Sequence, residues 1–157
     1  MTIAATLKKA LEQHGVHYAL IAHPKTASSR ESARAAHVYE DHIAKAVIVK
    51  DDQGYAMVII PGDHWVKLEA LHKALDRDFE FATEEEITRL FPDCHPGAVP
   101  PMGVAYGLET YLDDDLTTLA NVYFESGNHR HLVHVSGEAF RALCAGVRRG
   151  HFSHNDT

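Results

Sequence analysis

Four groups of residues have types and spacings that could do chemistry. The first is Lys45. Side chains two apart on a strand share a face, so Ile43, Lys45, Val47 and Val49 line one side of a β-branched run. A lysine on an apolar face snorkels to water, shifts its pKa, or borders a ligand site. The second is the stretch 92–103, with four prolines and two glycines in twelve residues. Prolines stiffen the chain and glycine allows close backbone approach, so N–H groups near Gly97 could hold a carbonyl or a phosphate. A plain crossover between a helix and a strand explains the same composition. The third is Gly127-Asn128-His129-Arg130-His131-Leu132-Val133-His134. Read as a strand, it puts His129 and His131 on one face, and two such histidines can ligate a metal. No third ligand follows at an informative spacing, so a polar strand edge at a pocket mouth fits better. The fourth is the segment 23–29, which joins a strand to a capped helix. Backbone donors gather there and favour anionic or carbonyl ligands. Helix capping by itself accounts for Ser28.

Other chemistries lack their signatures. There is no Walker loop, no GxGxxG and no GxSxG elbow. Cys94 has no base paired with it in the sequence and reads as an ordinary cysteine. Cys94 and Cys144 are spaced neither as a disulfide framework nor as a zinc knuckle.

The elements that must position these residues alternate irregularly. The spacing predicts a helix over 3–14 stopped by Gly15, and a strand over 16–22. Ser28 with Glu31 three residues on has the spacing of a capping box and opens a second helix. Residues 43–50 and 55–60 form the clearest hairpin, around Asp51-Asp52-Gln53-Gly54. A helix is expected over 65–75, a short strand over 79–81, and a helix capped by Thr83 with Glu86. Strands follow at 108–112, 122–125 and 131–135, and Ser136 caps a last helix. From Arg148 onward the chain reads as a polar tail. The expected fold is therefore α/β (α+β), with one curved, mixed sheet surrounded by helices. One domain is expected over 1–147, with 148–157 as the tail.

The chain has 157 residues and a formal charge of −7. Its apolar runs are too short to span a bilayer, which points to a soluble, cytoplasmic protein with no membrane partner. The charge argues against a general nucleic-acid binder. It is uneven, however: residues 76–125 carry twelve acidic and two basic residues, while both ends are mildly basic.

Taken in order, His23-Pro24 with Thr26, the run from Ala44 to Val49, Gly97-Ala98-Val99-Pro100-Pro101-Met102-Gly103, Val122 to Gly127 and Val135 to Phe140 resemble the YbaK/EbsC family. These are the free-standing relatives of the editing domain in bacterial prolyl-tRNA synthetases. The resemblance covers nearly the whole chain. It implies a barrel-like sheet and a trans-editing deacylase. Such an enzyme hydrolyses the ester of a small amino acid mischarged onto a non-cognate tRNA, here of the tRNA-Pro class. The family's key lysine matches Lys45, and its Gly-x-x-x-Pro loop matches Gly97 and Pro101. Lys45 and Gly97 are then the catalytic candidates. Thr26, Ser28, Ala98, Pro101, Gly127, His129 and His131 are the substrate-binding candidates. No metal, no cofactor and no covalent intermediate are implied. The implied partner is the acceptor end of an aminoacyl-tRNA, held weakly and in a salt-sensitive way; no synthetase or elongation factor is specified. Two rivals stand beside this reading. One is a non-catalytic module of the same fold that binds a small molecule or a tRNA end. The other is a metal-dependent hydrolase built on the histidines.

Overall fold

A computed structural model describes residues 3–155. Five α-helices and ten strands make an α+β domain whose strands fall into three sheets, with no closed barrel among the described residues. The central sheet has the order β5-β2-β3-β6-β9. It is built on the expected hairpin, β2 (Ala44–Asp51) against β3 (Gly54–Pro61), in antiparallel register. β6 (Glu109–Asp113) adds parallel to β3, and β5 (Glu80–Phe81) caps the outer edge of β2. A second, antiparallel sheet has the order β1-β8-β7, from β1 (Ala19–Ala22), β7 (Asn121–Glu125) and β8 (His131–Ser136). A single bridge, Ile43 to Tyr123, joins the two sheets.

The alternation of β2 places its two faces in different cores. Ala44 and Ile48 point into the main core, with Met57 and Ile59 of β3 and Val122, Phe124, Val133 and Val135 of the second sheet. Leu7 and Leu11 of α1 (Ala5–His14) and Phe140 of α5 (Gly137–Leu143) close this core. Val49 points the other way, into a second cluster with Val58, Ile60, Leu71, Phe79, Tyr111 and Phe152. Ile43, of the same parity, packs with Ala33 and Leu132 in a third cluster under α2 (Ser29–Ala35). Lys45 therefore lies in the gap between two apolar clusters.

Two expectations change. Trp65 is not helical: His64–Val66 is a short strand, β4, and the helix α3 begins at Leu68 and ends at Leu75. The segment from Arg148 is not a polar tail as far as it is described. Arg148–Gly150 (β9) pairs with β6, and Ser153–Asn155 (β10) pairs with β4. Phe152 between them is buried and fixes the segment to the core. The main chain is secured further by Asp113, whose Oδ2 accepts from Phe152 N at 3.0 Å and Ser153 Oγ at 2.7 Å.

Much of the acidic middle is used in structural pairs. Arg77 donates to both oxygens of Asp51 and pairs with Glu109. In α4 (Glu84–Leu90), Glu86 completes the expected capping box with Thr83 and also accepts from Lys50 Nζ at 2.8 Å and from Tyr55 Oη. Lys50, then the Thr83 backbone, hold the Glu86 carboxyl down at about 2, against an ordinary value of 4.5. A carboxyl lowered on folding contributes stability that is fully present above its unfolded pKa and is lost as pH falls toward the folded value. Acid unfolding should therefore steepen between 4.5 and about 2. Glu86→Gln should flatten that limb when the denaturant midpoint is followed against pH.

Candidate active site

Lys45 extends from β2 opposite Ile60. Its ammonium donates to the carbonyl of His64 at 2.9 Å and more weakly to that of Gly62 at 3.4 Å. It also stands 5.2 Å from the centre of the Trp65 ring. Gly62 is needed here for its size: a Cβ at this position would lie 2.7 Å from the carbonyl oxygen of Glu40. Burial, then the nearby Arg30 charge, push the Lys45 pKa below its ordinary value, while Asp63 and Glu40 act in the other direction. Among the described residues no carboxylate forms an ion pair with Lys45; Glu40 is occupied by Arg30 at 2.9 Å. The result is a desolvated cation at the edge of a cleft of about 510 Å³ lined by Val47, Trp65 and Phe81.

A second cluster gathers around Ser32 of α2. Glu125, at the end of β7, is 2% exposed, and His129 is 6% exposed. Strand alternation puts Glu125 on the face beneath α2, where Ser32 Oγ donates to its Oε2 at 3.0 Å. Ser32 gives its one hydroxyl proton to Glu125, so Thr26 Oγ1 donates to Ser32 at 2.6 Å. The same Glu125 oxygen lies 3.4 Å from His129 Nδ1. Glu125 Oε1, His129 Nδ1 and His23 Nε2 make no hydrogen bond among the described residues. Buried polar atoms left unpaired in this way are costly in a core.

The proline-glycine loop closes over this cluster. His95 N donates to the Gly127 carbonyl at 2.9 Å, and a short 3-10 turn follows at Pro96–Ala98. Gly97 is exposed at the surface, yet a Cβ there would stand 2.7 Å from Ala27 O and 2.9 Å from His129 Nε2. Glycine is thus required for the loop to reach both the 23–29 segment and the imidazole. His129 is held in the left-handed region, φ 57°, and so is not on the strand with His131 as expected. Thr26 N donates to the His129 carbonyl and His23 N to the Arg130 carbonyl, which lays the two segments side by side.

The sequence candidates therefore divide. Thr26, Gly97 and His129 come together with Ser32, Glu125 and Ala27. Among the described residues Lys45 makes no hydrogen bond to them, and Arg30 of α2 acts on it electrostatically. Ser28 caps α2 by accepting from Glu31 N at 3.2 Å. Ala98 is fully buried beneath the loop. Pro101 lines a separate cleft with Met102, Val104 and Cys144. Gly127, φ 102°, packs against Ala4 and Cys94 in the turn that leads to His129. His131 starts β8; burial lowers its pKa, and its Nδ1 accepts from Asn128 Nδ2 at 3.1 Å. Neither His129 nor His131 belongs to a set of three close ligand atoms among the described residues. One such set, Asp113, Asp115 and His151, does exist. Its most buried member, Asp113, already anchors the C-terminal strands. Burial pushes the Cys94 thiol up to about 12, so it is protonated at neutral pH and suited to packing beside Tyr106.

Sequence reasoning missed Ser32, Glu125 and Trp65. Glu125 carried a signal, an acid closing an apolar strand, but nothing local showed that α2 would cover it.

This arrangement can now be set beside known proteins. The model of the aminoacyl-tRNA editing domain matches residues 23–143. The chain belongs to the aminoacyl-tRNA editing domain family. It is similar to the proline–tRNA ligase of Halalkalibacterium halodurans, 29% identical over 111 residues, covering 69% of this chain and 19% of the ligase. The editing domain thus spans about a fifth of that relative's length. A solved candidate trans-editing enzyme for prolyl-tRNA synthetase superposes with a TM-score of 0.82 at 25% identity, over 97% of each chain. A candidate signal transduction protein from Marinobacter aquaeolei shares the fold, with a TM-score of 0.78 at 23% identity over 96% of this chain and 30% of that one.

Removing the buried acceptor of the editing domain tests the second cluster. Glu125→Ala leaves Ser32 without its acceptor and should cost about 1–3 kcal/mol in a denaturant melt. Glu125→Gln keeps an acceptor oxygen and should cost less.

Proposed function

We propose that the protein is a trans-editing aminoacyl-tRNA deacylase, acting on a small amino acid esterified to a non-cognate tRNA of the proline class. The observation that carries this reading is the desolvated Lys45, held by carbonyls and open to a cleft, in a chain of the editing-domain family. Lys45 takes a phosphate of the acceptor end, and that phosphate supplies the countercharge that the protein withholds. Gly97 presents its backbone N–H to the ester carbonyl beside His129, and Thr26 borders the amino-acid side of the pocket. Ser28, Ala98, Pro101, Gly127 and His131 act here as supports for these elements.

The ester is already activated, so positioning supplies much of the rate. Water attacks the carbonyl carbon, and the Gly97 N–H stabilises the oxyanion that forms. The carbon–oxygen bond to the ribose then breaks, and the ribose oxygen takes a proton. The products are the free amino acid and intact tRNA. A raised Cys94 pKa fits a reaction with water rather than thiolate as the nucleophile.

The direct experiment is a deacylation panel across several tRNA and small-amino-acid pairs. Wild-type protein should release the amino acid from at least one mischarged tRNA. Lys45→Ala, with an unchanged circular dichroism spectrum, should lose about 10–100-fold in kcat/KM, the scale of one charge-assisted contact. Binding of mischarged tRNA with no turnover by the wild type would instead establish a binding module.

The charge pattern limits the grip on tRNA. With −7 overall and few cations near the site, only a few phosphates can be contacted. The slope of log affinity against log salt should be shallower than about −3, because each single-strand phosphate contact contributes about −0.7. A steeper slope would show a broad tRNA interface.

A further inference from the structure

The cleft beside Lys45 has a character that ester hydrolysis does not explain. Its walls include two large exposed aromatics, Trp65 at 53% and Phe81 at 52% exposure, over an apolar floor of Val47 and Ile60. It is the contiguity of these rings with the apolar floor, not their exposure alone, that marks a surface able to meet a ligand. Trp65 is fixed by main-chain pairing, because β4 is zipped to β10 with Trp65 opposite His154. Phe81 is fixed by pairing with Val49 of β2. The backbone that carries both rings is therefore fixed.

Its charge is selective. No carboxylate lines this cleft, whereas a neighbouring one at the far end of the β2–β3 hairpin is lined by Asp51, Asp52, Asp78, Glu80 and Glu86. In a chain of net charge −7, an acid-free aromatic cleft with one desolvated ammonium suits an occupant with a flat apolar ring and an attached anion. Unpaired nucleotides have that chemistry. Their bases stack on aromatic faces while a cation holds the phosphate, and duplex RNA, whose bases are already stacked, cannot use the platform. The volume, about 510 Å³, lies within the range of small-ligand clefts.

We propose that Trp65, with Phe81, is a stacking platform for an unpaired base of the tRNA 3′ end, whose adjoining phosphate is taken by Lys45. This rests on the deacylase reading for the identity of the strand, and on the cleft alone for its chemistry. It assigns the single-stranded end to the β4–β5 side of Lys45, while the ester is handled on the α2 side.

The chain has a single tryptophan, so its intrinsic fluorescence reports on this site alone. Titration with the trinucleotide CCA should quench it saturably. The same trinucleotide lacking its 3′ base should bind about 10-fold or more weakly, and an RNA duplex without overhang should leave the signal unchanged. Trp65→Ala should weaken binding of fluorescein-labelled CCA by a similar factor, while Trp65→Phe, which keeps a ring, should restore most of it. On a mischarged tRNA, Trp65→Ala should raise KM with kcat retained. Equal affinity for CCA and its abasic form, or full affinity in Trp65→Ala, would overturn the platform even if deacylation is intact. Saturable CCA quenching with no deacylation of any substrate would keep the platform and overturn the deacylase reading. Should Trp65→Ala not fold, the wild-type comparison of CCA with its abasic form decides.

Discussion

The constraint on which the site depends is a lysine held in a gap between two apolar clusters. β2 cannot bury Ile43 and Val49 on one face without placing Lys45 between them. Its ammonium is stabilised by carbonyls of the turn that follows β3, and that turn needs Gly62 pressed against Glu40 to reach it. A cation satisfied by carbonyl dipoles but not by a carboxylate is ready for an anion from outside. An internal ion pair would have removed that capacity; Asp63 and Glu40 act on Lys45 from nearby, but among the described residues neither forms an ion pair with it. Asp51 and Glu109 hold Arg77, and Glu86 holds Lys50, all at the distal end of the central sheet.

The other half of the site is organised by a buried acid. Glu125 fixes Ser32 and through it Thr26, and lies beside His129, so one carboxylate ties α2, the 23–29 segment and the 127–131 turn together. The proline-glycine loop then rests on that assembly through Gly97. α2 serves both halves: its Arg30 charge adds to the burial that lowers the Lys45 pKa, and its Ser32 donates to Glu125.

The parts of the fold that follow from local rules were legible in the sequence. Alternation in 43–50 located the hairpin and marked Lys45 as out of place, and the Thr83–Glu86 capping box appears as expected. The parts set by distant pairing were not. β4 and β10 are three residues each, too short for a period, and they form only because they meet across the chain. Phe152, in a stretch that reads as polar, becomes core because β9 and β10 bring it there. His129 looked like half of a strand face with His131, but Gly127 and its own positive φ turn it under Gly97. The family resemblance pointed to Lys45 and Gly97; that Gly97 meets Ala27 and His129 while Lys45 meets the Gly62 and His64 carbonyls was visible only in three dimensions.

The most direct test of this account is the titration of Lys45 itself, followed by NMR of its ε-methylene group with and without CCA. The free protein should show a Lys45 pKa below the ordinary 10.5. Binding of CCA should move it upward, because a phosphate at the ammonium favours the charged form. An unshifted lysine, or one that titrates identically with and without CCA, would contradict the central claim that Lys45 is kept desolvated to receive the acceptor end.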